Sequence, residues 1–167
     1  IMFSVPLGVA GVALMLWAGP GAWSGIWLGS LSLNLGVAWL NGDVSANTAL
    51  IAGGIASGAT LQALTALYLV RTYLRPGWQS MEFEWDIVRC LLLAGPLASL
   101  VSALAGVSML HQGGIISAQE YFYALWNWWS GDTLGVLVML PLSLTVLYRH
   151  DPLWRGRLTT LVIPMTV

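Results

Sequence analysis

Long apolar runs, almost free of charge and cut by short breaks bearing Gly, Pro or Asn, dominate this sequence. A helix that crosses a bilayer needs about 20 mostly apolar residues. By that measure the runs lie at about 2–18, 23–40, 46–70, 86–110 and 118–148. A further run, 158–167, reads as the opening of another span. Hydrophobic residues make up 57% of the 167 and charged residues only 8%, against about 25% charged in an ordinary soluble domain. Six basic and seven acidic side chains cannot keep water around so apolar a chain. This excludes a soluble globular protein, a disordered tail and a nucleic-acid binder. The expected fold is an all-α integral membrane protein, a polytopic helical bundle of about five spans plus the start of another.

The breaks have recognisable chemistry. Gly19-Pro20-Gly21 cannot continue a helix, Asn41-Gly42-Asp43 is a turn signal, and Ser45 or Asn47 can cap the third run. Arg75-Pro76-Gly77 and Gln112-Gly113-Gly114 break the chain again. All basic residues are arginines. Arg71, Arg75 and Arg89 flank one connection, and Arg149, Arg155 and Arg157 flank another two crossings later. The positive-inside rule then makes loops 71–89 and 149–157 cytoplasmic, with Asp43, His111 and Glu120 on the outer side. The expected location is the bacterial inner membrane. Residue 1 then starts outside, so at least one earlier span is expected. Residues 1–157 form the membrane domain, and 158–167 lead to further domains.

Lipid gives no hydrophobic drive for helix association, so close packing needs small residues. They recur at helical spacing: Gly25 and Gly29 with Ser32 and Gly36, Gly54 and Gly58, and Gly95, Ser99, Ser102 and Gly106. Gly131 and Gly135 belong to the same class. Pro96 and Pro141 lie inside apolar runs, where each removes a backbone donor and offers a kink or hinge. Polar groups inside a membrane are costly, which marks Asn34, Gln62 and Asp132. Interhelical bonding explains Asn34 and Gln62 as well as a ligand contact does. Asp132 lies seventeen positions before Arg149, ~25 Å at ~1.5 Å per residue. The run 118–148 is too long for a simple crossing, so an interfacial or re-entrant stretch is expected before Asp132, which then caps a span beginning near 132. Two readings stand for Asp132 with Trp126 and Trp129: a capping, packing corner, or a polar, aromatic-lined ligand pocket open to the outside. No phosphate-cradling loop, metal-ligating set, nucleophilic triad or catalytic carboxylate pair occurs. The segment is therefore not expected to be an enzyme and calls for no cofactor or metal.

The pattern W-x-W-W-x-G-D-x-x-G-x-x-x-x-x-P, from Trp126 to Pro141, resembles the signature of the bacterial membrane-associated sensor domain of the first type. Ser4-Val5-Pro6-Leu7-Gly8, Gly25–Gly29 with Asn34, Asn47-Thr48 through Gln62 to Arg71, and Asp86-Ile87-Val88-Arg89 resemble other segments of that family. The resemblance covers nearly the whole chain. It implies a sensory input module preceding a histidine kinase or a diguanylate cyclase or phosphodiesterase in the same chain. It also implies a homodimer in the lipid bilayer, with room for another membrane protein as partner. A transporter or channel fragment, and a structural subunit of a membrane complex, are the alternatives that composition allows.

Overall fold

A computed structural model describes residues 5–75 and 84–147. Every regular element among them is helical: α1 (Val5–Ala18), α2 (Trp23–Leu40), α3 (Ala46–Tyr73), α4 (Glu84–Leu92), α5 (Ala98–Gln112) and α6 (Tyr121–Leu147). A 3-10 turn at Pro20–Ala22 joins α1 to α2, and a π turn at Leu93–Leu97 joins α4 to α5. The start of a sixth span and the connector with Arg149, Arg155 and Arg157 lie outside the described residues.

The breaks do what their chemistry dictates. Gly19 turns left-handed at φ +79° and Pro20 opens the 3-10 turn, a place where its missing N–H costs nothing. α2 and α5 both end in Schellman motifs built on left-handed glycines. The Gly42 and Asp43 amides donate to Trp39 and Ala38, and the Gly114 and Ile115 amides to His111 and Leu110. Ser45 caps α3 by accepting from the Thr48 amide at 3.1 Å. Asn47 instead donates across to the Gly113 carbonyl at 3.1 Å, tying the start of α3 to the end of α5.

α3, α5, α6 and α1 form a ring in which each helix packs on the next and α1 returns to α3, while α2 lies outside it against α3. Helix ends alternate. The α1–α2 turn lies beside the end of α3, where Arg71 approaches Gly19, and the α2–α3 and α5–α6 connections share the opposite end. The interior is small-residue and aliphatic. Val12, Met15, Ala63, Ala66, Val70, Cys90, Ala94, Ala98, Val136 and Leu140 are almost wholly buried. Exposed aromatics gather at the two ends: Trp17, Trp23, Tyr73 and Trp85 at one, Trp39, Phe122, Tyr123 and Trp126 at the other. Leu28, Leu61, Leu100 and Leu104 are exposed between them. Aromatic belts around an apolar band are the signature of a membrane-embedded surface. Two helical stretches, Ala46–Tyr73 and Trp85–Gln112, are each long and apolar enough to cross a membrane.

Two expectations need correction. α6 runs unbroken through Asp132, so there is no separate re-entrant stretch before it and Asp132 caps nothing. The extra length is absorbed along the axis: 27 residues reach ~40 Å at ~1.5 Å each, spanning the ~30 Å hydrocarbon core and a headgroup layer. Gly25 and Gly29 pack against no other helix among the described residues, since a Cβ on either would meet nothing there within 4 Å. α2 turns Ile26, Ser30 and Ala38 inward instead, so its glycine stripe faces away from α3. Asp86 is buried in the first turn of α4.

Candidate functional site

The polar residues that need a partner inside the bundle converge where α3, α5 and α6 meet. Asp132 is 4% exposed and accepts from the Ser102 hydroxyl at 2.5 Å. Ser102 also donates weakly to the Ser99 carbonyl at 3.3 Å. The Ser99 hydroxyl accepts from the Gln62 side-chain amide at 3.0 Å. Ser99 and Ser102 are three apart on α5, so one helix face carries both. A chain of polar contacts thus runs from α3 through α5 to α6. It is incompletely satisfied: Gln62 Oε1 and Thr133 Oγ1 are buried without a hydrogen-bond partner. An unpaired buried polar atom costs about 1–3 kcal/mol, so these two oxygens mark a place where a water or small polar group is accommodated at little further cost.

The same corner holds two tryptophans in different roles. Trp129 donates its indole N–H to the Pro96 carbonyl at 2.8 Å, fastening α6 to the π turn. Pro96 therefore lies in a π turn, a form that occurs often at functional sites, whereas α6 continues as helix through Pro141. Trp126 is 63% exposed and packs on Trp129 with ring centroids 5.2 Å apart, so it faces outward rather than toward Asp132. Trp128 lies beside the Asp132 carboxylate and covers Gly106 so closely that a Cβ there would fall 2.7 Å from its ring.

Asn34 is not part of this corner. Its amide donates to the Ser30 carbonyl one turn back at 2.8 Å, and it faces a separate cavity of about 200 Å³ between α2 and α3. Ile51, Ile55 and Leu110 wall that cavity, Trp128 is shared with the polar corner, and Asp43 stands among the lining residues at the α2–α3 turn. Of the expected ligand or signal residues, then, Asp132, Gln62 and Trp129 come together, while Trp126 and Asn34 stand apart.

Several residues carry more than the sequence suggested. Ser99 and Ser102 read as packing positions, yet both bridge helices. Trp128 and Thr133 had no assigned role. The stripe spacing of Ser99 and Ser102 opposite Gln62 was the available signal. At Gly54 and Gly58 the neighbouring helix comes close: a Cβ on Gly54 would run into Met109, and one on Gly58 would lie 2.7 Å from Ala105 Cβ. Gly131 and Gly135 are half-buried in α6.

Outside the bundle, the α5–α6 connection is held by Glu120. Its carboxylate accepts from the Ser117 amide at 2.9 Å and the Ser117 hydroxyl at 2.7 Å. These bonds, the hydroxyl first, hold the Glu120 carboxyl below the usual carboxylate range. Nearby, Tyr121 stacks edge-on against His111 at 5.8 Å and shares a 2.9 Å hydrogen bond with Ser108.

No curated protein and no solved structure matches the chain. A family model does, over residues 1–165, and its reach takes in every helix and the whole polar corner. By that match the chain belongs to MASE1, a family of membrane sensory input domains of signalling proteins.

Proposed function

We propose that this chain is the input module of a bacterial signal-transduction protein and relays a stimulus to a histidine kinase or a diguanylate cyclase or phosphodiesterase in the same polypeptide. It crosses the inner membrane about five times, through α1, α2, α3, α4–α5 and α6, with the connectors that carry arginine in the cytoplasm. The alternation of helix ends, the aromatic belts and the clustering of Arg71 and Arg75 at one end support that layout.

One observation carries the signalling reading: the carboxylate of Asp132 is buried in the α5–α6 seam, held by a serine hydroxyl rather than a cation. An ionisable group inside a membrane bundle is expensive and is a functional candidate by default. A sensor needs two packings of similar energy that a stimulus can bias. A seam joined by hydroxyl, amide and carboxylate can exchange partners more readily than an interlocked apolar one. A shift of α6 against α5 is then passed along the chain to its output.

The test is Asp132→Ala and Asp132→Asn in the full-length protein, with membrane abundance and signal output measured together. Normal abundance with a lost or locked response supports the reading. Lost abundance in both variants, or normal abundance with an unchanged response, refutes it.

A further inference from the structure

The cavity between α2 and α3 lies outside the polar corner, and its lining pairs apolar walls with a carboxylate. Ile51, Ile55 and Leu110 give it apolar walls, Asn41 and Thr48 add polar groups, and Asp43 at the α2–α3 turn is the one formally charged residue that lines it among the described residues. Asn34 spends one of its two amide N–H groups on the Ser30 carbonyl, and its side-chain oxygen is free to accept from a ligand in the cavity. A carboxylate and an amide oxygen on apolar walls suit a ligand with an apolar body and a cationic, N–H-donating head. At about 200 Å³ the space is smaller than the ~300–1,000 Å³ typical of drug-sized sites, so the ligand is small.

We propose that this cavity binds a small organic ammonium ion, its body against Ile51, Ile55 and Trp128 and its charged head toward Asp43 and Asn34. The assignment of this ligand as the stimulus rests on the sensory reading above; the binding itself does not. Trp128 connects the two. It lines the cavity, covers Gly106 on α5 and neighbours Asp132 on its own helix. A ligand that moves the Trp128 ring therefore acts on the α5–α6 seam, with Trp128 as a positioning residue.

The experiment measures binding to the full-length protein in lipid nanodiscs by calorimetry, with no signalling readout. The probes share one body and differ in the head: phenethylamine as the cation, phenethyl alcohol as the neutral form and hydrocinnamate as the anion. Saturable binding of the amine is expected, at least ~10-fold tighter than that of the alcohol, about 1.4 kcal/mol, with no binding of the anion. Asp43→Asn, on an exposed turn, should abolish the preference for the amine, and Ile55→Trp should abolish binding by filling the cavity. Equal affinity for amine and alcohol, an unchanged preference in Asp43→Asn, or no binding because a lipid chain occupies the space would each overturn the proposal. If the amine binds while Asp132 variants signal normally, the cavity stands and the relay through Asp132 falls. If Asp132 variants lose their response while the amine does not bind, the relay stands and the cavity falls.

Discussion

Gly58 and Ala105 set how closely α3 approaches α5, and exchanging their methyl groups tests whether that approach is real. A Cβ on Gly58 would sit 2.7 Å from Ala105 Cβ, whereas carbon atoms in contact prefer about 3.5–4.0 Å. Gly58→Ala therefore forces the helices about 1 Å apart, over a seam that also carries the Gln62–Ser99 bond. Overpacking of this kind costs about 1–3 kcal/mol. Alanine recovers about 1 kcal/mol through its helix propensity, so a net loss of up to ~2 kcal/mol is expected. Ala105→Gly in the same chain removes the obstructing methyl, and the double variant should recover most of the loss. The assay is thermal unfolding of the detergent-solubilised protein by circular dichroism for wild type, both single variants and the double. A favourable coupling of about 1–3 kcal/mol is the expected result. Additive losses, or a double variant less stable than both singles, would refute the packing. Gly29→Ala serves as the control, since among the described residues nothing would lie within 4 Å of a Cβ there, and should cause no loss.

Further expectations follow from single contacts. Ser102→Ala leaves the buried Asp132 carboxylate without its hydroxyl donor and should cost about 1–3 kcal/mol, measured by the same unfolding assay. Trp129→Phe removes the donor to the Pro96 carbonyl and should cost about 0.5–1.5 kcal/mol, with faster amide exchange around the π turn. Ser45→Ala should cost about 1 kcal/mol through loss of the α3 cap and raise amide exchange at Thr48. Glu120 titrates below the ordinary carboxylate range when folded, so its hold on Ser117 is complete above the unfolded value and is lost as pH falls through the lowered folded value. Protection of the Ser117 amide should follow that curve, and Glu120→Gln should flatten it.

The helix boundaries were legible where the chain carries its own punctuation. α2 spans Trp23–Leu40 because Gly-Pro-Gly and Asn-Gly-Asp dictate both ends locally. The corner at Ser130-Gly131-Asp132 was misread because that tripeptide also spells a helix start. What overrides the signal is Ser102, thirty residues away, which satisfies the carboxylate from another helix. The glycine stripes show the same limit. Gly25 and Gly29 have the spacing of Gly54 and Gly58, and periodicity says which residues share a face but not which face meets a neighbour. Only the ring arrangement decides that. Asp132 and Gln62 could be singled out because intramembrane polarity is conspicuous in sequence, and Trp129 because it lies in the same aromatic motif as Asp132. Ser99, Ser102 and Trp128 were not assigned to the site, because serine and tryptophan have ordinary uses in any membrane helix.

The closed ring has a consequence for how the protein is made. α1 lies against α6, the helix farthest from it in sequence among those described, so of the described helices one of its neighbours is synthesised last. Until α6 is inserted, part of the inner side of α1 with Val12 and Met15 has acyl chains as its only covering. In water such a delay would invite aggregation. In a bilayer the waiting surface is already solvated, and the ring closes when α6 displaces lipid from a half-built wall.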